Sequence, residues 1–315
     1  MLDIPKGKPN FSVILPGKCN CKCNFCFWKY EESPDSWLEN LVNTIHNLPP
    51  EYVRCSISGG EPTLSPVFDS VFDIISACRK WEAIVLTTNG TLLDKKMKSI
   101  TSINHLNLSR HHHDEAINAE IFKTTSVPKK TELTLICKQA NHLGIDVNLN
   151  CVLIDKIPNS GSVYKGINST SQFNSRQHVI EFIKFAKDIG ASSVCFRQDQ
   201  SLNSTEMPHE FSWFKDIKYI EGWSCEACKI YQQYIEGMRV AWKAAIAEPS
   251  IKTGTIYELI YHQNGKLTSD WEGKLEVNLT PHTPKTKPTK SKNFSAKENA
   301  TYKASTCGFV SRCGV

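Results

Sequence analysis

The chain has 315 residues, 40% of them hydrophobic, and a formal net charge of +5 at pH 7. A chain of this length can bury one large core, or a core plus a smaller second domain. No run reaches the roughly 18 apolar residues of a membrane helix, and no basic segment followed by an apolar run indicates a signal peptide. We therefore expect a cytoplasmic, globular protein with no membrane partner.

Cysteine is the unusual part of the composition, with 13 residues in the chain. In a reducing compartment this indicates metal ligation or redox chemistry rather than disulfides, and an odd count does not suit a disulfide scaffold. The positive charge is mild and concentrated in lysines near the C-terminus, among Pro, Thr and Ser. We interpret that segment as a solvated linker and expect no nucleic-acid partner.

Short apolar runs alternate with helical patterns up to about Arg197. The predicted strands are Phe11–Leu15, Tyr52–Ile57, Ala83–Thr87, His105–Leu108, Val147–Leu153 and Ser193–Phe196. The predicted helices are Ser33–Asn47, Pro66–Lys80, Leu92–Ile100, Asp114–Phe122, Thr131–His142 and Arg176–Ile189. This alternation is typical of a parallel sheet with helices on its outside. Six units predict an α/β fold, a partial (β/α)6 barrel, over residues 1–200.

The pattern changes after residue 200. Trp223–Ile246 reads as two β runs around Glu236-Gly237, and Tyr257–Trp271 as a hairpin turned at Asn264-Gly265. We therefore predict a small β-rich C-terminal appendage over residues 201–279. Residues 280–315 are predicted to form a flexible basic linker and a cysteine-containing tail, because their composition offers little to bury.

Four cysteines lie within eight residues, directly after the first predicted strand: Cys19, Cys21, Cys23 and Cys26. Three of them, at C-x3-C-x2-C spacing, can surround an iron–sulfur cubane and leave one iron without a protein ligand. The alternative is a structural zinc site with Cys21 as the fourth ligand. The spacing alone leaves both open.

The spacing of Cys19, Cys23 and Cys26, with Phe27 next, resembles the defining motif of the radical S-adenosylmethionine (SAM) enzymes. Other segments that follow predicted strands resemble further parts of that family. The segment SGGEP is similar to the GGE motif, which implies binding of the SAM amino group by Gly59, Gly60, Glu61 and Pro62. The segment TTNGT, with Thr88 and Asn89, is similar to the part that lines the ribose and methionine. Ser109 and Arg110 resemble an element that holds the carboxylate or ribose, and weaker matches are Asn150 and Arg197.

A physical reason supports this resemblance. The loops after parallel strands of an α/β barrel meet at one face, and every motif here follows a predicted strand. Paired glycines permit close approach of a ligand to the backbone. Glu61 can accept hydrogen bonds from an ammonium group, and Arg110 or Arg197 can pair with a carboxylate. SAM carries both groups, and Cys21 is then the thiol that the cluster does not use.

The resemblance implies two cofactors, a [4Fe-4S] cluster and SAM. It also implies an electron donor such as flavodoxin or ferredoxin, and a 5'-deoxyadenosyl radical that takes a hydrogen atom from a substrate. We favour a polar small-molecule or nucleotide substrate, because the chain leaves little room before Phe11 for a leader-peptide recognition domain. The alternatives are a peptide-modifying enzyme and a non-catalytic metal-binding module.

Three histidines, His111, His112 and His113, follow the fourth predicted strand. They could bind a phosphate or carboxylate or shuttle a proton, and the alternative is a polar loop with one histidine facing SAM and two facing solvent. Asp199 and Gln200, after the sixth predicted strand, are further candidates to contact a polar substrate.

A second cysteine set lies in the C-terminal third: Cys225, Cys228, Cys307 and Cys313. It could close a zinc site or ligate a second iron–sulfur cluster, and free thiols are the alternative. This set resembles the auxiliary-cluster regions of the SPASM and twitch subgroups and of the molybdenum-cofactor cyclase, although the spacing matches none of their full patterns. The remaining cysteines in apolar patterns are predicted to be buried small hydrophobes: Cys55, Cys78, Cys137, Cys151 and Cys195.

Overall fold

The computed structural model of the protein describes residues 9–26, 28–153, 176–198, 230–243, 256 and 258–279. The strands in this part of the chain are β1 Asn10–Leu15, β2 Arg54–Gly59, β3 Ala83–Thr88, β4 His105–Ser109, β5 Asp146–Leu153, β6 Ser193–Gln198, β7 Ile230–Ile235, β8 Met238–Lys243, β9 Glu258–Tyr261 and β10 Leu267–Thr268. The helices are α1 Trp37–Asn47, α2 Phe68–Ala77, α3 Leu93–Lys96, α4 Glu115–Phe122, α5 Lys130–His142 and α6 Arg176–Asp188. None of the described helices is long and apolar enough to cross a bilayer.

All ten strands form one sheet, in the order β10-β9-β1-β2-β3-β4-β5-β6-β8-β7. Strands β1 to β6 are neighbours in chain order and every pair among them is parallel. Their carboxyl ends therefore lie along the same edge of the sheet. The predicted α/β fold with a parallel sheet is confirmed, and the sheet is not closed, because β10 and β7 form its two outer edges among the described strands.

The C-terminal strands form two hairpins that extend this sheet at opposite edges. The turn of the first lies at Glu236-Gly237, where both residues have positive φ, at 49° and 78°, as a tight hairpin between twisted strands requires. Its strand β8 pairs in parallel with β6. The second hairpin turns near Gly265, and its strand β9 pairs in parallel with β1.

One face of the sheet is apolar and is covered by the helices. Along β3 and β4 every second residue is buried, because successive side chains of a strand point to opposite faces. The helices present buried residues at helical spacing, such as Trp37, Leu41 and Ile45 of α1, which lie in the same core as Phe11 and Leu86 of the strands. The main core therefore lies between the helices and this face.

The opposite face is lined by hydrogen-bonded polar side chains. Asn148 on β5 donates to Asn107 on β4 at 3.1 Å and accepts from Ser193 on β6 at 2.9 Å. Near the other edge, Asn10 on β1 donates to Glu258 on β9 at 2.7 Å and accepts from Ser56 on β2 at 3.0 Å. The sheet thus has a polar inner face that leads to the loops at its carboxyl edge.

Candidate functional site

The loop after β1 carries four thiols. Its backbone turns at Cys23–Cys26, where the Cys26 amide donates to the Cys23 carbonyl at 3.2 Å, and it is tied to the end of α4 by a hydrogen bond from the Lys22 amide to the Phe122 carbonyl at 3.0 Å. Cys19, Cys21 and Cys23 are half-buried and Cys26 is exposed. None of the nine described cysteines is in a disulfide. We call residues 17–26 the cysteine loop.

Cys21 modifies the acidity of its neighbours. Interaction with the Cys21 side chain lowers the pKa of Cys19 to about 7 and also lowers the pKa of Cys23. The same two contacts raise the pKa of Cys21 itself, and burial raises the pKa of Cys26. Cys19 and Cys23 are therefore more readily ionised than Cys21, and the thiolate is the form that binds metals.

Gly60 allows the cysteine loop to lie directly on the end of β2. A Cβ atom at Gly60 would stand 2.8 Å from two ring carbons of Trp28 and 2.9 Å from the backbone nitrogen of Cys19. Real Cβ atoms do not approach other atoms this closely, so any larger residue would displace the loop or the indole. Gly60 thus permits a close approach to its backbone, and the groups that approach it are the Trp28 ring and the Cys19 backbone of the chain itself.

Glu61 connects the loops after β2 and β3. Its side chain is 2% exposed. Oε1 accepts from the amide and hydroxyl of Thr63, at 3.0 and 2.6 Å, and from the Thr88 hydroxyl at 2.5 Å. Oε2 accepts from the Asn89 amide at 2.7 Å. Burial raises the pKa of Glu61, and these donors oppose the rise. The carboxylate that the sequence assigned to the SAM ammonium is therefore engaged by four donors of the chain, and Pro62 begins the short turn, Pro62–Leu64, that Glu61 caps.

Asn89 connects the loop after β3 to the cysteine loop. Its side-chain amide donates to Asn20 Oδ1 at 2.9 Å and to Cys21 Sγ at 3.1 Å. Thr91 completes the arrangement, because its hydroxyl donates to Asn89 at 2.6 Å and accepts from Asn20 at 2.9 Å. Sequence reasoning did not identify Asn20 and Thr91, since polar residues in a loop carry no signal for such a long-range contact.

Arg110 is buried in the loop after β4, with 2% exposure. Its guanidinium donates to the backbone carbonyls of His112, His113 and Pro128, at 2.7, 3.3 and 3.1 Å, and lies 4.9 Å from the centroid of the Phe185 ring. Burial lowers its pKa to about 10. Three of its five N–H groups thus donate to the chain, and the pairing of Arg110 with a SAM carboxylate stays a prediction.

His111 joins the same loop to the cysteine loop. Its ring packs between Phe25 and Phe122, with centroid distances of 4.8 and 4.7 Å, and Nδ1 accepts from the Val152 amide at 3.1 Å. The backbone amide of His111 donates to Asn118 Oδ1 on α4 at 2.9 Å. His111 is thus a buried packing residue and does not face solvent.

The remaining predicted site residues are spread along the same edge. Ser109 ends β4 opposite Asn150 of β5, and Asn150 Oδ1 accepts from Asn148 at 3.0 Å. Arg197 is half-buried on β6. The other predicted residues lie outside the described part of the chain: Phe27, Asp199, Gln200, Cys225, Cys228, Cys307 and Cys313.

The burial prediction for the other cysteines is only partly correct. Cys55, Cys137 and Cys151 are buried, but Cys78 and Cys195 are half-buried, so the prediction was wrong for these two. Cys78 follows the last residue of α2. Cys195 lies between Val194 and Phe196, which are fully buried, so the alternation of β6 directs Cys195 to the polar inner face.

The cysteine loop has the donor set that an iron–sulfur cluster requires. Cysteine thiolates are the usual ligands of such clusters, and Cys19, Cys23 and Cys26 are accessible to solvent, unlike Cys55 or Cys151 in the core. The Trp28 indole, which lies against Gly60, has a buried Nε1 with no hydrogen-bond partner among the described residues. A buried N–H donor beside the loop fits a group with acceptor atoms, such as cluster sulfides.

Known proteins similar to this chain are consistent with a cluster-binding cysteine loop. Residues 13–160 match the family model described as the Radical SAM superfamily. A protein named GTP 3',8-cyclase from Aliarcobacter butzleri is 27% identical over 210 residues, covering 62% of this chain and 59% of the relative. A protein of the same name from Aquifex aeolicus is 26% identical over 202 residues, covering 58% and 61%. The chain thus spans about three fifths of the length of these relatives.

A solved structure shares the fold. Streptococcus suis SuiB bound to S-adenosylmethionine superposes with a TM-score of 0.53 at 14% sequence identity, covering 85% of this chain and 61% of SuiB. At this identity the similarity concerns the fold alone.

Proposed function

We propose, from the match of residues 13–160 to the Radical SAM superfamily, that the chain is a radical SAM enzyme acting on a polar small-molecule or nucleotide substrate. The observation that carries the proposal is the convergence of three loops. The cysteine loop, the loop of Gly60 and Glu61, and the loop of Asn89 are joined by direct contacts at the carboxyl edge of the sheet. Active sites of α/β barrels are built from the loops at this edge.

Cys19, Cys23 and Cys26 would hold the [4Fe-4S] cluster, and the loops after β2 and β3 would hold SAM. Together these groups supply one-electron cleavage of a carbon–sulfur bond and hydrogen-atom abstraction. Cys21 is not a ligand in this proposal, since the C-x3-C-x2-C spacing uses Cys19, Cys23 and Cys26. The electron comes from a donor of the flavodoxin or ferredoxin type.

Glu61 acts by position in this proposal. Because its carboxylate accepts four hydrogen bonds from the chain, it fixes the backbone of the two loops against which SAM would lie. Phe25, His111 and Phe122 form an apolar wall beside the cysteine loop and would keep water from the reacting groups. Ser109, Asn150 and Arg197 remain candidates to bind SAM.

A nucleotide substrate is favoured by the two relatives named GTP 3',8-cyclase. The polar inner face of the sheet offers amide and hydroxyl groups next to the proposed site, such as Asn150 and Ser109. A nucleotide presents both donors and acceptors to such groups. The second metal site at Cys225, Cys228, Cys307 and Cys313 stays a prediction.

The test is anaerobic reconstitution with iron and sulfide, followed by addition of SAM and dithionite. We expect about four irons per chain and formation of 5'-deoxyadenosine. Cys23→Ala should abolish 5'-deoxyadenosine formation, and the matched control Cys21→Ala should retain it. Formation by Cys23→Ala would overturn the assignment of the cluster ligands. Zinc in place of iron, without 5'-deoxyadenosine, would support a structural metal site and overturn the enzyme proposal.

The substrate class is tested separately by hydrogen transfer. With purine nucleoside triphosphates deuterated on the ribose, the proposal expects deuterium in the 5'-deoxyadenosine. Unlabelled product with every nucleotide, from a chain that still cleaves SAM, would overturn the nucleotide substrate and leave the enzyme class intact.

A further inference from the structure

Three imidazoles meet in a cluster that contains no residue of the cysteine loop. His112 and His113 follow β4, and His178 lies on α6, more than 60 residues later in the chain. The rings of His112 and His113 stack with centroids 4.3 Å apart, and those of His112 and His178 at 4.7 Å. His113 and His178 are 5.7 Å apart by the same measure. We call these residues the histidine trio.

The spacing of the trio is close to that of a metal site. One ring nitrogen from each residue lies within 4.8 Å of the others. A tetrahedral zinc ion binds imidazole nitrogens at about 2.0–2.1 Å, which places them about 3.3 Å from one another. Bringing the nitrogens to that spacing would shorten their separations by up to about 1.5 Å. The rings are stacked, with interplanar angles of 26° and 21°, so they would have to rotate to point their nitrogens at one ion.

One ring nitrogen of the trio is buried and has no hydrogen-bond partner among the described residues. It is Nδ1 of His113. Such atoms are rare in folded proteins, because an unpaired buried polar group costs free energy. A cation bound at Nδ1 would remove this cost.

The chain holds the trio in place through backbone contacts. The carbonyls of His112 and His113 both accept from Arg110, and Nδ1 of His112 accepts from the Asp114 amide at 2.9 Å. With Nδ1 as acceptor, the proton of a neutral His112 ring lies on Nε2. A cation that uses His112 must therefore break this hydrogen bond, so His113 and His178 are the stronger ligands.

The charges near the trio partly cancel. Burial lowers the pKa of His113, Glu181 and Asp114 oppose this shift, and Arg110 adds to it. The two carboxylates thus favour a cation at His113, while the guanidinium, which is held on backbone carbonyls, disfavours one.

We propose that His112, His113 and His178 form a site for one divalent transition-metal ion, such as Zn²⁺, distinct from the cysteine loop. Neutral imidazole is a preferred ligand of zinc, copper and nickel. Three protein ligands leave a position for water or another ligand. The ion would join the loop after β4 to the start of α6.

The test is zinc binding by the full chain after its cluster has been reconstituted. Equilibrium dialysis with metal analysis gives the affinity, and zinc-edge X-ray absorption identifies the ligand atoms. We expect one zinc with imidazole nitrogen ligands and no sulfur. His113→Ala and His178→Ala should each weaken its binding by more than about tenfold, whereas the exposed His142→Ala, on α5, should bind as the unmodified chain does.

His113 is only half-buried, so His113→Ala is the variant whose replacement disturbs the fold least. A second variant, His113→Gln, is tested in the same way, and its melting temperature shows whether it is folded. Equal affinity in the unmodified chain and in a folded His113 variant would overturn the proposal. A zinc shell of sulfur alone would do the same, because no imidazole would then bind the metal. Neither result depends on SAM cleavage, so the outcome is separate from that of the proposed enzyme activity.

Discussion

Glu61 is enclosed by donors from two loops, and its replacement measures how far these contacts stabilise the fold. In Glu61→Gln the new NH₂ group must face either the Asn89 amide or the donors of Thr63 and Thr88. A buried donor then loses its acceptor, which should lower the free energy of unfolding by about 1–3 kcal/mol. Urea unfolding of the cluster-free chain measures this.

The control for Glu61 is Glu39→Gln on the exposed side of α1, which should leave the unfolding midpoint unchanged. Equal midpoints for Glu61→Gln and the unmodified chain would mean that the four contacts contribute nothing net to stability.

His111 makes the stability of the protein depend on pH. Burial, with the charges of Arg110 and Arg197, lowers its pKa from 6.5 to about 3. The folded protein therefore keeps His111 neutral while the unfolded chain protonates it below pH 6.5. Its contribution is fully present above pH 6.5 and is lost as the pH falls toward 3, at about 1.4 kcal/mol per pH unit.

The His111→Gln variant should show a shallower loss of unfolding free energy between about pH 6 and pH 4, measured by urea unfolding of the metal-free chain at a series of pH values. His142→Gln, on the exposed end of α5, serves as the control and should follow the unmodified chain. Parallel curves for His111→Gln and the unmodified chain would contradict the buried, neutral state of His111.

At the level of elements, the end of β2 and the cysteine loop depend on each other through Gly60. In Gly60→Ala the added Cβ would meet Trp28 at 2.8 Å and the Cys19 backbone nitrogen at 2.9 Å. Overpacking of this kind typically costs about 1–3 kcal/mol, and here it would shift the loop that carries Cys19. We expect less iron per chain after reconstitution, together with a lower melting temperature.

Gly144→Ala is the control for the steric effect, because an added Cβ at Gly144, whose φ is 73°, would meet nothing within 4 Å. This variant should lose some stability through backbone strain and keep its iron. If Gly60→Ala binds as much iron as Gly144→Ala does, the cysteine loop does not depend on its contact with β2.

The elements themselves were largely predictable from the sequence. All six predicted barrel strands are present, because buried parallel strands produce apolar runs between turn signals. Helix α3 is shorter than predicted, four residues instead of nine, since apolar periodicity does not distinguish a helix from successive turns. The turns at Glu236-Gly237 and Gly265 were also located correctly, because positive φ favours glycine.

For the whole molecule, the edge strand β9 is held to β1 by a polar cluster. Glu258 accepts from Asn10 at 2.7 Å, from Ser12 at 2.5 Å and from Trp271 at 3.0 Å. Glu258→Ala would remove the acceptor of these three hydrogen bonds, and Ser12 is 1% exposed. We expect a loss of about 2–3 kcal/mol in the free energy of unfolding, read from chemical denaturation.

Glu276→Ala is the control for Glu258, because its carboxylate contacts the exposed Lys266 and surface ion pairs contribute little. It should unfold at the same denaturant concentration as the unmodified chain. If Glu258→Ala does so too, the hairpin of β9 and β10 is held by its backbone pairing with β1 alone.

The sequence by itself determined the class of the fold and the positions of the cysteine loop, the Gly59–Pro62 segment and the Thr88–Asn89 segment. These properties depend on local spacing and on strand periodicity, which a single sequence displays. Only the tertiary structure decided that Glu61 accepts hydrogen bonds from the chain and that Arg110 donates hydrogen bonds to it. It also decided that the two C-terminal hairpins extend opposite edges of the sheet, and that His178 meets His112 and His113. These arrangements include contacts between residues that are distant in sequence, such as Glu61 with Thr88 and Arg110 with Pro128. Each such contact depends on the path of the chain between the two residues, which local patterns do not encode.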